Sequence, residues 1–172
     1  MTIPYSLEPI LKFENVHLKL GSDAGSVHIL RGINLEIMPG ETVGVIGPSG
    51  SGKTSFLMIA AGLENLTSGT VSACGTTYNG LNEDALATFR RDHVGIVFQN
   101  FHLLPSMTAL ENVVLPLEFA GNPNAFSRAQ FELEAVGLGH RIHHYPGQLS
   151  GGEQQRVALA RAFVAEPEIL LA

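Results

Sequence analysis

Leu11 and Phe13 alternate with Lys12 and Glu14, and then the phase slips. Beyond the slip, Val16, Leu18 and Leu20 alternate with His17 and Lys19. Alternation at period two marks a half-buried strand, and the slip predicts a bulge at Glu14 and Asn15. Residues 21–26 read as a turn. Ile29, Ile33, Leu35 and Ile37 fall on one parity, so the stretch up to residue 38 predicts antiparallel sheet, with residues 1–10 as a short extension. Residues 42–46 (Thr-Val-Gly-Val-Ile) are apolar without alternating, which predicts a central parallel strand buried on both faces. A helix follows over 55–61. Residues 71–78 read as a strand or hairpin with Asn79-Gly80 as its turn, 83–91 as a helix, and 94–98 as a second short buried strand.

From Thr108 the period becomes helical. Thr108 and Glu111 have capping-box spacing, and Leu110, Val113, Val114 and Leu117 form one apolar helix face. Pro116 predicts a kink or an end to that helix. Residues 125–136 form a further helix that Gly137 and Gly139 can stop. The last helix covers about 150–165, and residues 168–172 open another buried strand. A domain does not ordinarily stop inside a central strand, so the chain reads as a piece truncated at its C-terminus.

The glycines carry the first chemistry: seven of the 19 lie in residues 44–52 and 147–152. Gly47-Pro48-Ser49-Gly50-Ser51-Gly52-Lys53-Thr54 fits G-x-x-x-x-G-K-[ST], with Ser55 next in the following helix. Glycines let the backbone curl until successive N–H groups face phosphate oxygens, and the helix behind adds its positive end. Lys53 would reach the outer phosphates, and the Thr54 hydroxyl would ligate Mg²⁺. By itself this means that a nucleoside triphosphate binds, without choosing among kinases, GTPases and ATPases. No N-K-x-D guanine-specificity element is present. In the second cluster, Ser150 and Glu153 make a capping box around Gly151 and Gly152. Glycine in a helix costs about 1 kcal/mol relative to alanine, so local stability does not account for the pair. Close approach of an anion to a bare helix N-terminus does.

Composition narrows the function classes. Apolar residues are 45% of the 172. Charged residues are 15%, against roughly 25% in ordinary domains, which argues against disorder. A formal net charge of −6 is a poor match to a nucleic-acid binder. Cys74 is the single cysteine, so no internal disulfide and no cysteine-cluster metal site can form, and a reducing compartment fits. Cys74 itself reads as a small buried side chain. No apolar run approaches the ~18–20 residues of a membrane span, and residues 1–6 lack the basic and apolar regions of a signal peptide. His140, His143 and His144 read as a polar helix end and loop rather than metal ligands, and Arg90 and Arg91 as a solvated helix end.

The stretch Leu149 to Ala162, LSGGEQQRVALARA, resembles the signature motif of the ATP-binding cassette (ABC) ATPases, with the phosphate loop about a hundred residues upstream as in that family. Gln99, after Val97-Phe98, matches the family's Q-loop. Leu103-Leu104-Pro105 and Thr108-Ala109-Leu110-Glu111-Asn112-Val113 resemble the lipoprotein-release and macrolide-export branch. The resemblance implies an α/β P-loop nucleotide-binding domain over 11–172, with an N-terminal antiparallel β subdomain and a helical subdomain at about 100–146. It implies an ATP-binding subunit that couples ATP binding and hydrolysis to movement of a membrane permease, docked near 100–146. Two such subunits would pair head to tail, with ATP and Mg²⁺ between residues 47–55 of one and Ser150, Gly151, Gly152 and Glu153 of the other. Gln99 would bind Mg²⁺ and sense the γ-phosphate and attacking water. The subunit would lie in the cytoplasm, peripheral on the inner face of the cell membrane through its permease.

Three departures accompany the resemblance. Leu20 stands at the family's adenine-stacking aromatic, and Glu153 at a position where glutamine is commonest. The chain also reads as ending before the Walker B aspartate, the catalytic glutamate and the switch histidine. The 172 residues alone are therefore expected to bind nucleotide without turning it over. The alternatives are a nucleotide-binding fragment without hydrolysis and a soluble ABC-type ATPase. Of the latter, the DNA-repair class carries a long coiled coil, whereas about fifty residues without heptads separate Gln99 from Ser150; the translation-associated class usually has two cassettes.

Overall fold

A computed structural model describes residues 8–22 and 25–172. The expected extension at 1–7 and the middle of the expected turn, 23–24, lie outside the described residues. The chain divides between residues 87 and 88 into two compact units.

The first unit is built on a four-stranded antiparallel sheet of order β2-β1-β3-β4. Its strands are β1 (Leu11–Ser22), β2 (Gly25–Ile37), β3 (Ser68–Ala73) and β4 (Thr76–Thr77). The expected bulge is present. The β1–β2 register shifts between Phe13 and Val16, and Asn15 takes a left-handed φ of 49°. Gly69 of β3, at φ 99°, approaches the Asn15 carbonyl so closely that a Cβ would lie 2.3 Å from its oxygen. Only glycine combines that φ with that space. The bulge returns Leu11, Phe13, Val16 and Leu18 to one buried face. Helix α1 (Lys53–Ala60) supplies Phe56, whose ring centroid lies 4.8 Å from that of Phe13, and Ile59. The Tyr78 hydroxyl donates to the Ala60 carbonyl at 2.9 Å, satisfying the buried end of α1.

Three expectations change in this unit. Residues 42–46 do not form a buried parallel strand: among the described residues they pair with no strand, and Val43, Val45 and Ile46 are 46%, 40% and 94% exposed. Apolar composition favours burial, but a parallel strand exists only through hydrogen-bonding neighbours, and none is bonded to this segment among the described residues. The β3–β4 turn is Cys74-Gly75, both left-handed at φ 46° and 74°; the expected turn at Asn79-Gly80 also forms, but beyond β4, where the Leu81 N–H closes it on the Tyr78 carbonyl at 3.0 Å. Asn79 also serves the sheet: its side chain accepts from the Val71 N–H at 3.2 Å and donates to the Gly69 carbonyl at 2.9 Å. Cys74, placed in that turn, is half-buried rather than buried.

Helix α2 (Glu83–His93) carries Glu83 and Asp84 at its start and Arg90, Arg91 and His93 at its end, complementing the helix dipole. Arg91 is exposed and pairs with Asp92 at 2.7 Å.

The second unit is helical around a parallel pair, β5 (Val94–Ile96) and β6 (Ile169–Leu171). Strand β5 is shorter than the expected 94–98, because only Val97 N–H continues the ladder, donating to Leu171. Helices α3 (Ala109–Phe119), α4 (Ala125–Ala135) and α5 (Gly151–Phe163) share one core, with Val113, Val114, Leu117, Leu133, Leu138, Val157 and Val164 buried. Pro116 does not end α3, which runs on to Phe119. Burial of Leu117 just beyond the proline holds that last turn on the core, and the Ala120 N–H closes it on the Pro116 carbonyl at 3.1 Å. Gly137, at φ 76°, stops α4 as expected. Its N–H donates to the Glu134 carbonyl, and that of Leu138 to Leu133, the double closure of a Schellman end. No helix among the described residues is long and apolar enough to cross a membrane.

Candidate functional site

In the first unit, residues 47–52 form an irregular exposed loop that feeds directly into α1. Gly50 and Gly52 are left-handed at φ 79° and 90°. A Cβ on Gly52 would meet Ile29 Cγ2 and Leu30 Cδ2 at 3.1 Å each, so glycine lets the loop lie against β2. Gly52 is also the N-cap of α1 and offers no side chain to its first-turn N–H groups. Those donors stay available to an anion, and the helix dipole favours negative charge there. The Ser51 N–H donates to the Pro48 carbonyl at 3.3 Å, closing the loop on itself.

Lys53 shows how the loop holds its cation. Its Nζ donates to the Gly47 and Pro48 carbonyls at 2.9 and 2.8 Å, so the ammonium is folded back across the loop it opens from. A phosphate is the stronger acceptor for this group. Thr54 is exposed one residue further on, with Ser55 half-buried behind it. A hydroxyl at the helix start is a hard oxygen donor of the kind that Mg²⁺ takes.

In the second unit, the signature residues form the expected capping box. The Glu153 N–H donates to Ser150 Oγ at 3.3 Å, and the Ser150 N–H donates to Glu153 Oε2 at 2.8 Å. Ser150, Gly151 and Gly152 are exposed. The Ser150 backbone N–H, and then its hydroxyl, hold the Glu153 carboxyl below the usual carboxylate range, with smaller help from Arg141 and Arg156. Gln154, the next residue, donates to the Pro146 and Leu149 carbonyls at 3.0 and 3.1 Å and ties the preceding loop to α5.

Gln99 lies exposed in the turn after β5. That turn is held from α5 by Arg161, whose Nη1 donates to the His102 carbonyl at 2.8 Å and Nη2 to the Phe101 carbonyl at 2.6 Å. Phe101 and His102 are both left-handed, at φ 59° and 46°, a strained pair for non-glycine residues. Burial lowers the Arg161 guanidinium from its ordinary value, with the carbonyls as its compensation. Sequence reasoning missed Arg161, because nothing in its helical period distinguishes it from a solvated arginine. It also missed Asn112, fully buried in α3, which accepts from the Leu104 N–H at 2.7 Å and donates to the Leu104, Met107 and Thr108 carbonyls. No local signal could have found it: by helical period Asn112 lies off the face of Leu110, Val113, Val114 and Leu117, beside the equally polar Glu111. His144 sits near a short 3-10 turn over Gly139–Arg141, where its Nε2 lies 3.1 Å from Arg141 Nη1. Leu20 is 42% exposed on β1 and presents an apolar side chain without a ring.

The family model for ABC transporters matches residues 30–172. The lipoprotein-releasing system ATP-binding protein LolD 2 of Caulobacter vibrioides is 47% identical over 167 residues, covering 96% of this chain and 73% of that protein. The uncharacterized ABC transporter ATP-binding protein YbbA of Escherichia coli K12 matches at the same identity and coverage. Among solved structures, the ATP-binding cassette MJ0796, in a dimeric post-hydrolysis state bound to ADP and Pi, has a TM-score of 0.88. It shares 41% identity, covering 94% of this chain and 72% of that one.

Proposed function

This chain belongs to the ABC transporter family as an ATP-binding subunit of the P-loop ATPase type, and from that premise we propose how its residues divide the work. The phosphates of ATP lie on the loop formed by Gly47, Pro48, Ser49, Gly50, Ser51, Gly52, Lys53, Thr54 and Ser55. Lys53 gives up its two loop carbonyls and takes the outer phosphates. Thr54 and Gln99, each with a side-chain oxygen, would hold Mg²⁺, which would supply neutralisation of charge on the β- and γ-phosphates. Ser150, Gly151 and Gly152, with Glu153 capping Ser150, present a second anion-accepting helix end to the nucleotide of a partner copy, in a head-to-tail pair. The dimeric state of the MJ0796 neighbour supports that arrangement. The helical stretch around 100–146 docks on a membrane permease. This would place the subunit in the cytoplasm against the membrane, in a lipoprotein-release or export system like that named for the LolD relative.

The observation that carries the reading is the folded-back Lys53 ammonium, bonded to two carbonyls of its own loop at the start of α1, whose N-cap Gly52 gives its first turn no side-chain cap. Lys53→Ala removes the main countercharge of the phosphates. Affinity for a fluorescent ATP analogue should fall by at least about tenfold, the effect of losing one charge-assisted contact. Unchanged affinity would take the loop out of the mechanism.

A further inference from the structure

The signature helix of this chain carries a charge in an awkward place. Glu153 is the third residue of α5, so its carboxylate sits one turn from the N–H groups that would meet a phosphate. A negative group there repels the anion that the helix end attracts. The side chain is only 17% exposed, so water screens that repulsion poorly.

Two cations face the carboxylate. Arg156 lies one turn further along α5, its Nη1 3.9 Å from where a Cβ on Gly152 would stand. Arg141 reaches in from the turn before the signature, its Nε 3.2 Å from Glu153 Oε1. That contact is an ion pair without hydrogen-bond alignment, since the buried Arg141 Nε has no hydrogen-bond acceptor. Of the two, Arg141 has the larger effect on the carboxylate. Arg141 is itself aimed. Its Nη1 donates to His144 Nε2 at 3.1 Å, and His144 is fixed at both backbone ends: its N–H donates to the Arg141 carbonyl, and its carbonyl accepts from Ala109.

We propose that Arg141 is a positioning residue for the signature: held by His144, it neutralises Glu153 so that Ser150, Gly151 and Gly152 can accept a phosphate. Glu153 then keeps its capping bond to Ser150 without presenting net negative charge at the helix end. The role in nucleotide engagement rests on the head-to-tail reading; the charge pairing does not.

The test compares Arg141→Gln, Arg141→Lys and the double variant Arg141→Gln/Glu153→Gln. Association of the chain driven by MgATP is followed by sedimentation velocity. Arg141→Gln should weaken association about tenfold, the effect of one unpaired charge several ångströms from the phosphate at intermediate dielectric. Arg141→Lys should retain most of it. The double variant should recover it, because no carboxylate remains to neutralise; an arginine that only braced the 139–148 turn would not be rescued this way. Equal loss in the single and double variants overturns the proposal, as does a silent Arg141→Gln. Failure of the unaltered chain to associate with MgATP counts against the head-to-tail reading instead. The Glu153 carboxyl titration by NMR then decides the pairing: a midpoint raised in Arg141→Gln supports it, and an unmoved midpoint overturns it.

Discussion

A buried amide is costly unless every one of its polar atoms finds a partner, and Asn112 meets that condition. One oxygen and one nitrogen serve Leu104, Met107 and Thr108, so a single side chain fixes the loop that leads into α3. Asn112→Ala leaves the Leu104 N–H and several carbonyls without it. The expected loss is about 2–3 kcal/mol of stability, the cost of unsatisfied buried groups. Equilibrium urea unfolding measures it, and an unchanged midpoint would show that water replaces the amide fully. Arg161 does the same for the turn after Gln99, binding two carbonyls that left-handed residues present. Neither side chain could be singled out from spacing alone. Their importance comes from carbonyls brought near by chain folding, whereas Lys53 and Thr54 were legible because adjacent glycines define their surroundings.

At the level of elements, what could be read depended on whether an element is specified locally. The two capping boxes were legible because residue and partner are three positions apart, and both form. The β1 bulge was legible as a slip in alternation. Residues 42–46 were not, since strand formation there depends on neighbours that no local pattern supplies. The Cys74-Gly75 turn was hidden because cysteine is an unusual left-handed residue, while Asn79-Gly80 carried the stronger turn signal. The caps also give a pH dependence. Hydrogen bonds from the backbone N–H and then the hydroxyl of Thr108 lower the Glu111 carboxyl, and Ser150 does the same to Glu153. A carboxyl lowered on folding contributes stability that is fully present above its unfolded value, about 4.3. That contribution is lost as pH falls through the lower folded value. Amide exchange in the first turns of α3 and α5, corrected for its intrinsic pH dependence, should therefore accelerate below about pH 4. The glycine-capped start of α1, which has no carboxylate cap, should show no such change. Equal behaviour in all three helices would mean that the caps do not set this response.

For the whole molecule, each compact unit carries one helix that begins on glycine-rich sequence: α1 in the first and α5 in the second. A helix N-terminus accepts an anion by the same physics in either place. What separates them is the cation. Lys53 rests on its own loop, ready for phosphates bound there, whereas Arg141 at α5 is spent on Glu153. The first end is therefore suited to hold nucleotide by itself, and the second to complete a site whose main countercharge lies elsewhere. In a head-to-tail pair, these are two halves of one site contributed by different copies. Ser150→Arg then has a specific outcome. It puts a long cation where a partner's phosphate must approach, and it removes the N-cap. Binding of a fluorescent ATP analogue by the monomer should stay close to that of the unaltered chain, because the loop at 47–55 is intact. Association driven by MgATP, read by light scattering, should be lost. Lys53→Ala should lower both, since without nucleotide on the loop there is nothing for the partner's α5 to meet. If Ser150→Arg reduced monomer binding as much as Lys53→Ala, both helix ends would serve the nucleotide of one chain, and the head-to-tail arrangement would be wrong.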